Sequence, residues 1–199
     1  MPKSIAIAVL LLAGGAAALH AQTDYYMRLG VTGSSTLVHD QIVSELDAKQ
    51  SLAPTLVLGG SMRVMPRYGL GLEAVLTSGG YSREENGVST RIGTLRTLAV
   101  LLDLDGPLYG PLRWRAGVGT MSYLPSDDAG IFLSGGTTRW LVGAGVDYRR
   151  HAFSRWDLLA SARYDYHTFT TDALRARNFG GTQQISRVGV SVGFARGAR

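Results

Sequence analysis

The chain contains no cysteine. The absence of thiols excludes a lipoprotein anchor, a disulfide framework and any metal site built on cysteine. Lysine is almost absent too, because Lys3 and Lys49 are the only two, so arginine supplies nearly all of the positive charge behind a formal net charge of +5. The arginines are scattered singly and do not gather on one helix or one arm, so we expect no nucleic-acid partner.

Long apolar runs are also missing. Beyond the amino terminus, no stretch approaches the roughly 18 uninterrupted apolar residues of a membrane helix. Residues 1–21 have the features of a signal peptide: Lys3 is followed by an apolar segment over residues 5–12, and cleavage is expected after Ala21. A membrane helix is the alternative, but Gly14 and Gly15 interrupt the apolar stretch. We expect residues 22–199 to form a single domain, whose charge is +4 once Lys3 is removed from +5.

An alternation with a period of two residues is the dominant feature of the remaining chain. Between residues 25 and 194, apolar side chains recur at every second position, with Arg, Asp, Glu and Gly between them. This pattern predicts about eight strands that each have one apolar and one polar face. The connections near residues 66, 106 and 151 are short. Those over residues 35–52, 79–90, 122–137 and 168–184 are long and polar, and residues 42–49 could hold one turn of helix.

The predicted fold is all-β: an eight-stranded antiparallel up-and-down transmembrane β-barrel with short periplasmic turns and long extracellular loops. Both termini are then periplasmic. A soluble barrel of the lipocalin type, with its apolar face inside, is the alternative. The aromatic residues favour the membrane barrel, because Trp and Tyr prefer the two membrane interfaces. The predicted aromatic girdle comprises Tyr25, Trp114, Tyr148, Trp156 and Phe194 at the periplasmic end, and Trp140, Tyr164 and Tyr166 at the other.

The polar face then lines the lumen, which is just wide enough for side chains in a barrel of eight strands. Buried charges need partners, and glycines in the same phase leave room for long side chains. The predicted lumenal charge network comprises Arg28, Arg63, Glu73, Asp103, Arg113, Arg115, Arg139, Asp147, Asp157, Arg163, Asp165 and Arg187. Such a network could be an ion pathway or a packed plug of salt bridges, and the strand number favours the plug.

Glu73 and Arg96 test the details of the predicted barrel. A short connection through Tyr68 would place Glu73 opposite Ser61 and diagonal to Arg63, within reach of a salt bridge. Arg96 has the outward phase near the outer end of its strand, where a cation facing lipid tails is costly. Either its side chain reaches the membrane interface, or a β-bulge turns it inward.

The last strand, residues 187–194, supports a resemblance. Arg187, Gly189, Val192 and Phe194 resemble the carboxy-terminal assembly signal of bacterial outer-membrane barrels, although residues 195–199 follow and are expected to lie beyond the strand. The mature chain as a whole resembles the small eight-stranded outer-membrane proteins, such as the outer membrane protein A barrel and the outer membrane protein X group. The resemblance implies a place in the outer membrane of a Gram-negative bacterium, among lipid and lipopolysaccharide. It also implies the barrel-assembly machinery as a partner during biogenesis. The sequence has no metal-ligand spacing, phosphate loop or nucleotide-binding glycine pattern, so we expect no cofactor.

Two functions remain open. The first is non-enzymatic: a rigid barrel whose loops bind a host or neighbouring cell, another ligand or an envelope component. The second is a lipid A-modifying enzyme, an acyltransferase or deacylase, which needs a nucleophile or base reachable from the outer leaflet. His39 with Asp40 and Ser44 is the loop candidate; His167 near Asp165 faces inward, and His151 lies in a turn. We predict no catalytic residue and no metal site.

Overall fold

The computed structural model describes residues 23–40, 46–85, 88–126, 132, 136–170 and 183–196, so the predicted signal peptide lies outside the described residues. Within those ranges no helix is long and apolar enough to cross a membrane. The strands are β1 (Thr23–Ser34), β2 (Val38–Asp40), β3 (Leu46–Gln50), β4 (Ala53–Arg63), β5 (Gly69–Glu85), β6 (Val88–Tyr109), β7 (Leu112–Pro125), β8 (Thr137–Phe153), β9 (Trp156–Phe169) and β10 (Gln183–Arg196).

Eight of these strands form a closed ring. Strand β1 pairs antiparallel with β4 on one side and with β10 on the other. From β4 to β10, each strand pairs with the next one along the chain. Closure pairs the backbone groups around the whole ring, which a sheet in lipid requires. The predicted eight-stranded up-and-down barrel is confirmed.

The short connections all lie at one end of the barrel, here called the turn end, together with the start of β1 and the finish of β10. Gly110, in the turn between β6 and β7, has φ +55°, a conformation that glycine adopts at no steric cost. The following Pro111 has a φ fixed by its ring, which helps to keep this turn tight. The opposite end is called the loop end.

The loop end contains more strand than the sequence predicted. Residues 79–90 were expected to be a loop, but β5 continues to Glu85 and β6 begins at Val88, with one register shift after Tyr81. Strand β3 pairs with residues 81–85 of β5, and β2 pairs with β3. The turn of helix expected within residues 42–49 is therefore wrong at residues 46–49, because this segment belongs to β3 and extends the backbone ladder of β5. Its first residues, 42–45, lie outside the described part.

The two faces of the ring differ as the alternation predicts. Apolar side chains point outward and are exposed, as with Leu29 at 60% and Val192 at 61%. Charged side chains point inward and are buried, as with Arg28 at 2% and Glu73 at 0%. A soluble barrel around an apolar ligand needs the opposite arrangement, so the lipocalin-type alternative is wrong.

Candidate functional site

Glu73 lies at the centre of the lumen. Its carboxylate accepts hydrogen bonds from the guanidinium groups of Arg28, Arg115 and Arg163, and from the Tyr26 hydroxyl at 2.9 Å. The four charged residues come from β1, β5, β7 and β9, which are alternate strands of the ring. Their side chains meet at one level because inward residues of alternate strands form layers inside a barrel.

Asp147 continues this arrangement toward the turn end. Its Oδ1 atom lies 3.2 Å from Nη1 of Arg28 and 3.2 Å from Nη2 of Arg115, and it accepts a 2.6 Å hydrogen bond from the Ser161 hydroxyl. Arg28, Glu73, Arg115, Asp147 and Arg163 together are called the central ion cluster. Each of its three arginines bonds two carboxylates. Arg28 and Arg115 both bond Glu73 and Asp147, and Arg163 bonds Glu73 and Asp165.

The glycines beside the cluster leave space for its side chains. A Cβ added at Gly143 would collide with the Asp165 carboxylate and the Arg163 guanidinium, and one added at Gly117 would collide with the Asp103 carboxylate. At these two positions an inward glycine makes room for a long charged neighbour, as the sequence predicts. A larger residue at Gly143 would displace the Arg163–Asp165 ion pair, and one at Gly117 would displace the Asp103 carboxylate.

A second group of ion pairs lies at the turn end. Arg113 donates from Nε to Asp105 at 2.9 Å, and Arg149 donates to Asp157 at 2.7 Å and to Asp24 at 2.5 Å. His151 lies 3.1 Å from Asp157. A cavity of about 50 Å³ separates these pairs from the central ion cluster, and Asp103 and Asp147 both line it.

An apolar plug fills the loop end of the lumen. It consists of Tyr81, Tyr123, Phe132 and Phe169, packed with Leu37, Leu95, Met121, Leu141 and Ile185. The Tyr123 and Phe169 ring centroids are 5.0 Å apart, and the Tyr123 hydroxyl lies 2.6 Å from Nε2 of His167. The plug closes this end of the barrel with tightly packed aromatic rings.

Sequence reasoning missed the plug. It took the inward face to be polar along its whole length, whereas Met121, Tyr123 and Phe169 continue the inward phase of β7 and β9 at their loop ends. The two-residue period could have revealed them. Leu37 and Phe132 lie in connections between strands, where no period applies.

The structure distributes the twelve predicted lumenal residues over several levels. Arg28, Glu73, Arg115, Asp147, Arg163 and Asp165 meet in or beside the central ion cluster. Arg113 and Asp157 belong to the turn-end pairs. Toward the loop end, Arg139 donates to the Thr170 carbonyl at 2.5 Å, and Arg187 donates to the Thr77 and Thr97 hydroxyls.

The predicted pairing of Arg63 with Glu73 is wrong. The connection between β4 and β5 begins after Arg63 and ends before Gly69, and the register places Arg63 opposite Gly69 and Glu73 opposite Gly59. Glu73 was expected opposite Ser61 but lies opposite Gly59, which is two positions further from Arg63. Arg63 is exposed at the turn end, beside Asp105 and Arg149.

Arg96 faces outward. It is exposed, and its neighbours on the outer surface include Leu56, Leu76 and Leu124. The register shift in this part of β6 falls nearer its start, opposite Tyr81 and Ser82, so pairing at Arg96 is regular and no bulge turns the residue inward. The cation lies at the loop-end border of the apolar belt.

All eight residues of the predicted girdle lie on the outer face. Trp140 is 75% exposed and Tyr25 is 58% exposed. At the turn end, Trp114 packs against Tyr68 with centroids 6.3 Å apart. The Tyr164 hydroxyl lies 2.8 Å from the Ser186 hydroxyl near the loop end.

Of the residues considered for enzymatic chemistry, the described side chains of His151 and His167 each have a non-catalytic partner. His167 is buried against Tyr123, and His151 is bound to Asp157 at the turn end. His39 and Asp40 lie on β2, and Ser44 is outside the described residues. The described residues include no group of three His, Asp or Glu side chains that could hold a metal ion.

These features define a transmembrane β-barrel of eight strands whose lumen is occupied by ion pairs and an aromatic plug. Comparison with solved structures gives the same fold. Outer membrane protein OprG from Pseudomonas aeruginosa superimposes with a TM-score of 0.51 at 12% identity, over 90% of this chain and 98% of that chain. AlkL, solved in lipid bilayers, gives 0.53 at 14% identity, over 92% and 93%. The attachment invasion locus protein Ail of Yersinia pestis, solved with a heparin analogue, gives 0.50 at 12% identity, over 89% and 99%.

The chain therefore has the fold of the small eight-stranded outer-membrane barrels, as the resemblance of its sequence implied. At this level of identity the likeness concerns the fold. No family model matches this sequence. No curated protein matches it either.

Proposed function

We propose that this chain is a non-enzymatic outer-membrane barrel that binds its partner through the strand segments that extend beyond its loop end. Its apolar outer face, bordered by aromatic residues, fits a bilayer. In this proposal the turn end and both termini are periplasmic, and the loop end is outside the cell. Short turns on the periplasmic side and long connections on the extracellular side are typical of bacterial barrels.

The observation that carries the proposal is the sheet at the loop end. It consists of β2, β3, residues 81–85 of β5 and residues 88–93 of β6, and is called the loop-end sheet. These segments extend past the level at which β4 pairs with β5 and β7 pairs with β6. In the described strand order β2 is last and has β3 as its only neighbour. Such an edge offers backbone groups to an extended segment of a partner.

The closed lumen supports a role at the surface. The central ion cluster and the apolar plug occupy successive levels of the barrel, and neither leaves a wide passage. A barrel whose described lumen is filled by side chains can act through what it presents to its surroundings. The class of partner is a surface molecule of another cell or a component of the envelope.

The experiment compares the wild type with a variant in which residues 82–92 are replaced by Asn-Gly, which joins Tyr81 of β5 to Gly93 of β6 by a tight turn. Both are displayed on cells that lack the protein and are probed with an array of extended peptides from surface and envelope proteins and with purified lipopolysaccharide. We expect the wild type to bind at least one probe and the shortened variant to bind none, although both migrate as folded barrels on unboiled gels. Equal binding by both proteins would contradict the proposal.

A matched control replaces Arg155 by Ser in the turn between β8 and β9, at the opposite end of the barrel. This variant should bind as the wild type does. Lipid A mass spectrometry of the same cells tests the enzymatic alternative. A new acylated or deacylated species that depends on the wild-type chain would overturn the non-enzymatic proposal.

A further inference from the structure

A small cavity lies in the lumen between the central ion cluster and Arg187. Its volume is about 20 Å³, and its lining includes Arg28, Glu73, Arg115, Arg163, Asp165 and Arg187. About 10–15 Å³ is enough to hold one water-sized occupant. The cavity can therefore hold a single small molecule or ion.

The charge around this cavity is unbalanced. Four arginines and two carboxylates line it. A third carboxylate, that of Asp147, bonds Arg28 and Arg115 from the side of the larger cavity toward the turn end, so the local excess is one positive charge. Asp103 also lines that larger cavity. The smaller cavity thus has a local excess of positive charge in a part of the barrel shielded from solvent.

Arg187 contributes most to this excess. It is 4% exposed, and its hydrogen bonds go to neutral groups: the hydroxyls of Thr77 and Thr97 and the sulfur of Met121. Asp165, its cross-strand neighbour on β9, accepts a hydrogen bond from Arg163. Within the described residues, Nε of Arg187 and Nη2 of Arg163 are buried and have no hydrogen-bond partner.

We propose that this cavity binds one small monovalent anion of the size of chloride, held by the Arg163 and Arg187 guanidinium groups. A water molecule could accept the two N–H bonds, but it would leave the buried positive charge without a counter-charge, which is costly where the surroundings are shielded from solvent. A halide satisfies both requirements. Larger anions such as sulfate or gluconate exceed the cavity.

The direct test uses bromide, which can replace chloride and is visible by anomalous scattering. The chain is refolded in detergent with sodium bromide as the only halide, crystallised, and measured at the bromine edge. We expect an anomalous peak in the lumen within hydrogen-bond distance of Arg163 and Arg187. Peaks only at exposed arginines of the turn end, or no peak at all, would overturn the proposal.

A solution measurement provides an independent result. Binding to the folded state raises its stability, so the temperature at which the unboiled gel band converts to the unfolded form should be several degrees higher in chloride or bromide than in gluconate at equal ionic strength. The variant Arg187→Met, refolded in detergent, should lose this difference. Arg113→Met, which lies outside the cavity lining, should keep it. The same difference in the Arg187→Met protein would contradict the site.

Discussion

Arg28 of the first strand donates a hydrogen bond to Glu73 of β5 across the lumen, and both side chains are almost fully buried. The two residues are not on neighbouring strands, because β4 lies between β1 and β5 in the ring. The pair therefore spans the interior and does not lie along one ladder. With Arg115 and Arg163 on the same carboxylate, it ties four strands together at one level.

Replacing Glu73 by Gln should destabilise the barrel strongly. The substitution leaves three arginines without their shared counter-charge, and breaking a buried pair costs about 3–5 kcal/mol. Denaturant unfolding in detergent measures the change in the free energy of unfolding. The matched control is Arg63→Met, which we expect to have little effect because Arg63 is exposed at the turn end.

A double-mutant cycle separates the two partners that have been considered for Glu73. Glu73→Gln combined with Arg28→Met should cost less stability than the sum of the two single changes, since each single change leaves the other residue without its partner. Glu73→Gln combined with Arg63→Met should be additive. Coupling of Glu73 to Arg63 with none to Arg28 would show that the register of β4 and β5 is wrong.

The apolar plug yields a second prediction. Phe169→Ala should lower the free energy of unfolding by about 3–5 kcal/mol, because it leaves a cavity among packed rings. Phe153→Ala is the control: Phe153 is exposed on the outer face near Phe194, where lipid or detergent tails can fill the space. Equal losses in the two variants would show that the rings at the loop end are not packed as a core.

The absence of cysteine makes the orientation directly testable. Val88 lies at the start of β6 in the loop-end sheet and is exposed, and Arg155 is exposed in a turn at the other end. In intact cells, a membrane-impermeant maleimide should label Val88→Cys and should label Arg155→Cys only after lysis. Labelling in the reverse order would place the turn end outside the cell.

The end of the chain requires a correction that changes a prediction. Residues 195–199 were expected to lie beyond the last strand, but β10 continues to Arg196, and Ala195 pairs with Tyr26 and is buried. Removal of residues 197–199 should therefore leave insertion unchanged, whereas removal from Ala195 onward should reduce it. Replacing Phe194 by Asp should reduce insertion most, since it puts a charge on the lipid-facing side. Band-shift gels of membrane fractions report all three.

The sequence alone was enough to predict the ring and the direction of its side chains. A period of two residues specifies which face each residue takes, so Arg28, Glu73 and Trp140 were assigned to the correct face. The period does not specify how far one strand slides past the next, because register depends on turn length. For that reason the Arg63–Glu73 pair was wrong. The contacts of Glu73 with Arg115 and Arg163, which lie on strands that do not neighbour β5, were not foreseen.

The loop end was harder to predict for a different reason. Beyond the apolar belt a strand no longer needs an apolar outer face, so β3 and the loop-end parts of β5 and β6 lack the alternation that marks a membrane strand. Their pairing is visible only in the backbone ladder. The inward aromatic residues Tyr123 and Phe169 did follow the alternation, but the expectation of a polar lumen concealed them.

The closed lumen is the central claim, and conductance in planar bilayers tests it most directly. The central ion cluster and the apolar plug obstruct the barrel at two levels, so the wild-type protein should show no steady porin-like current steps at moderate salt and voltage. Large, stable channels of uniform conductance from folded wild-type protein would contradict the account.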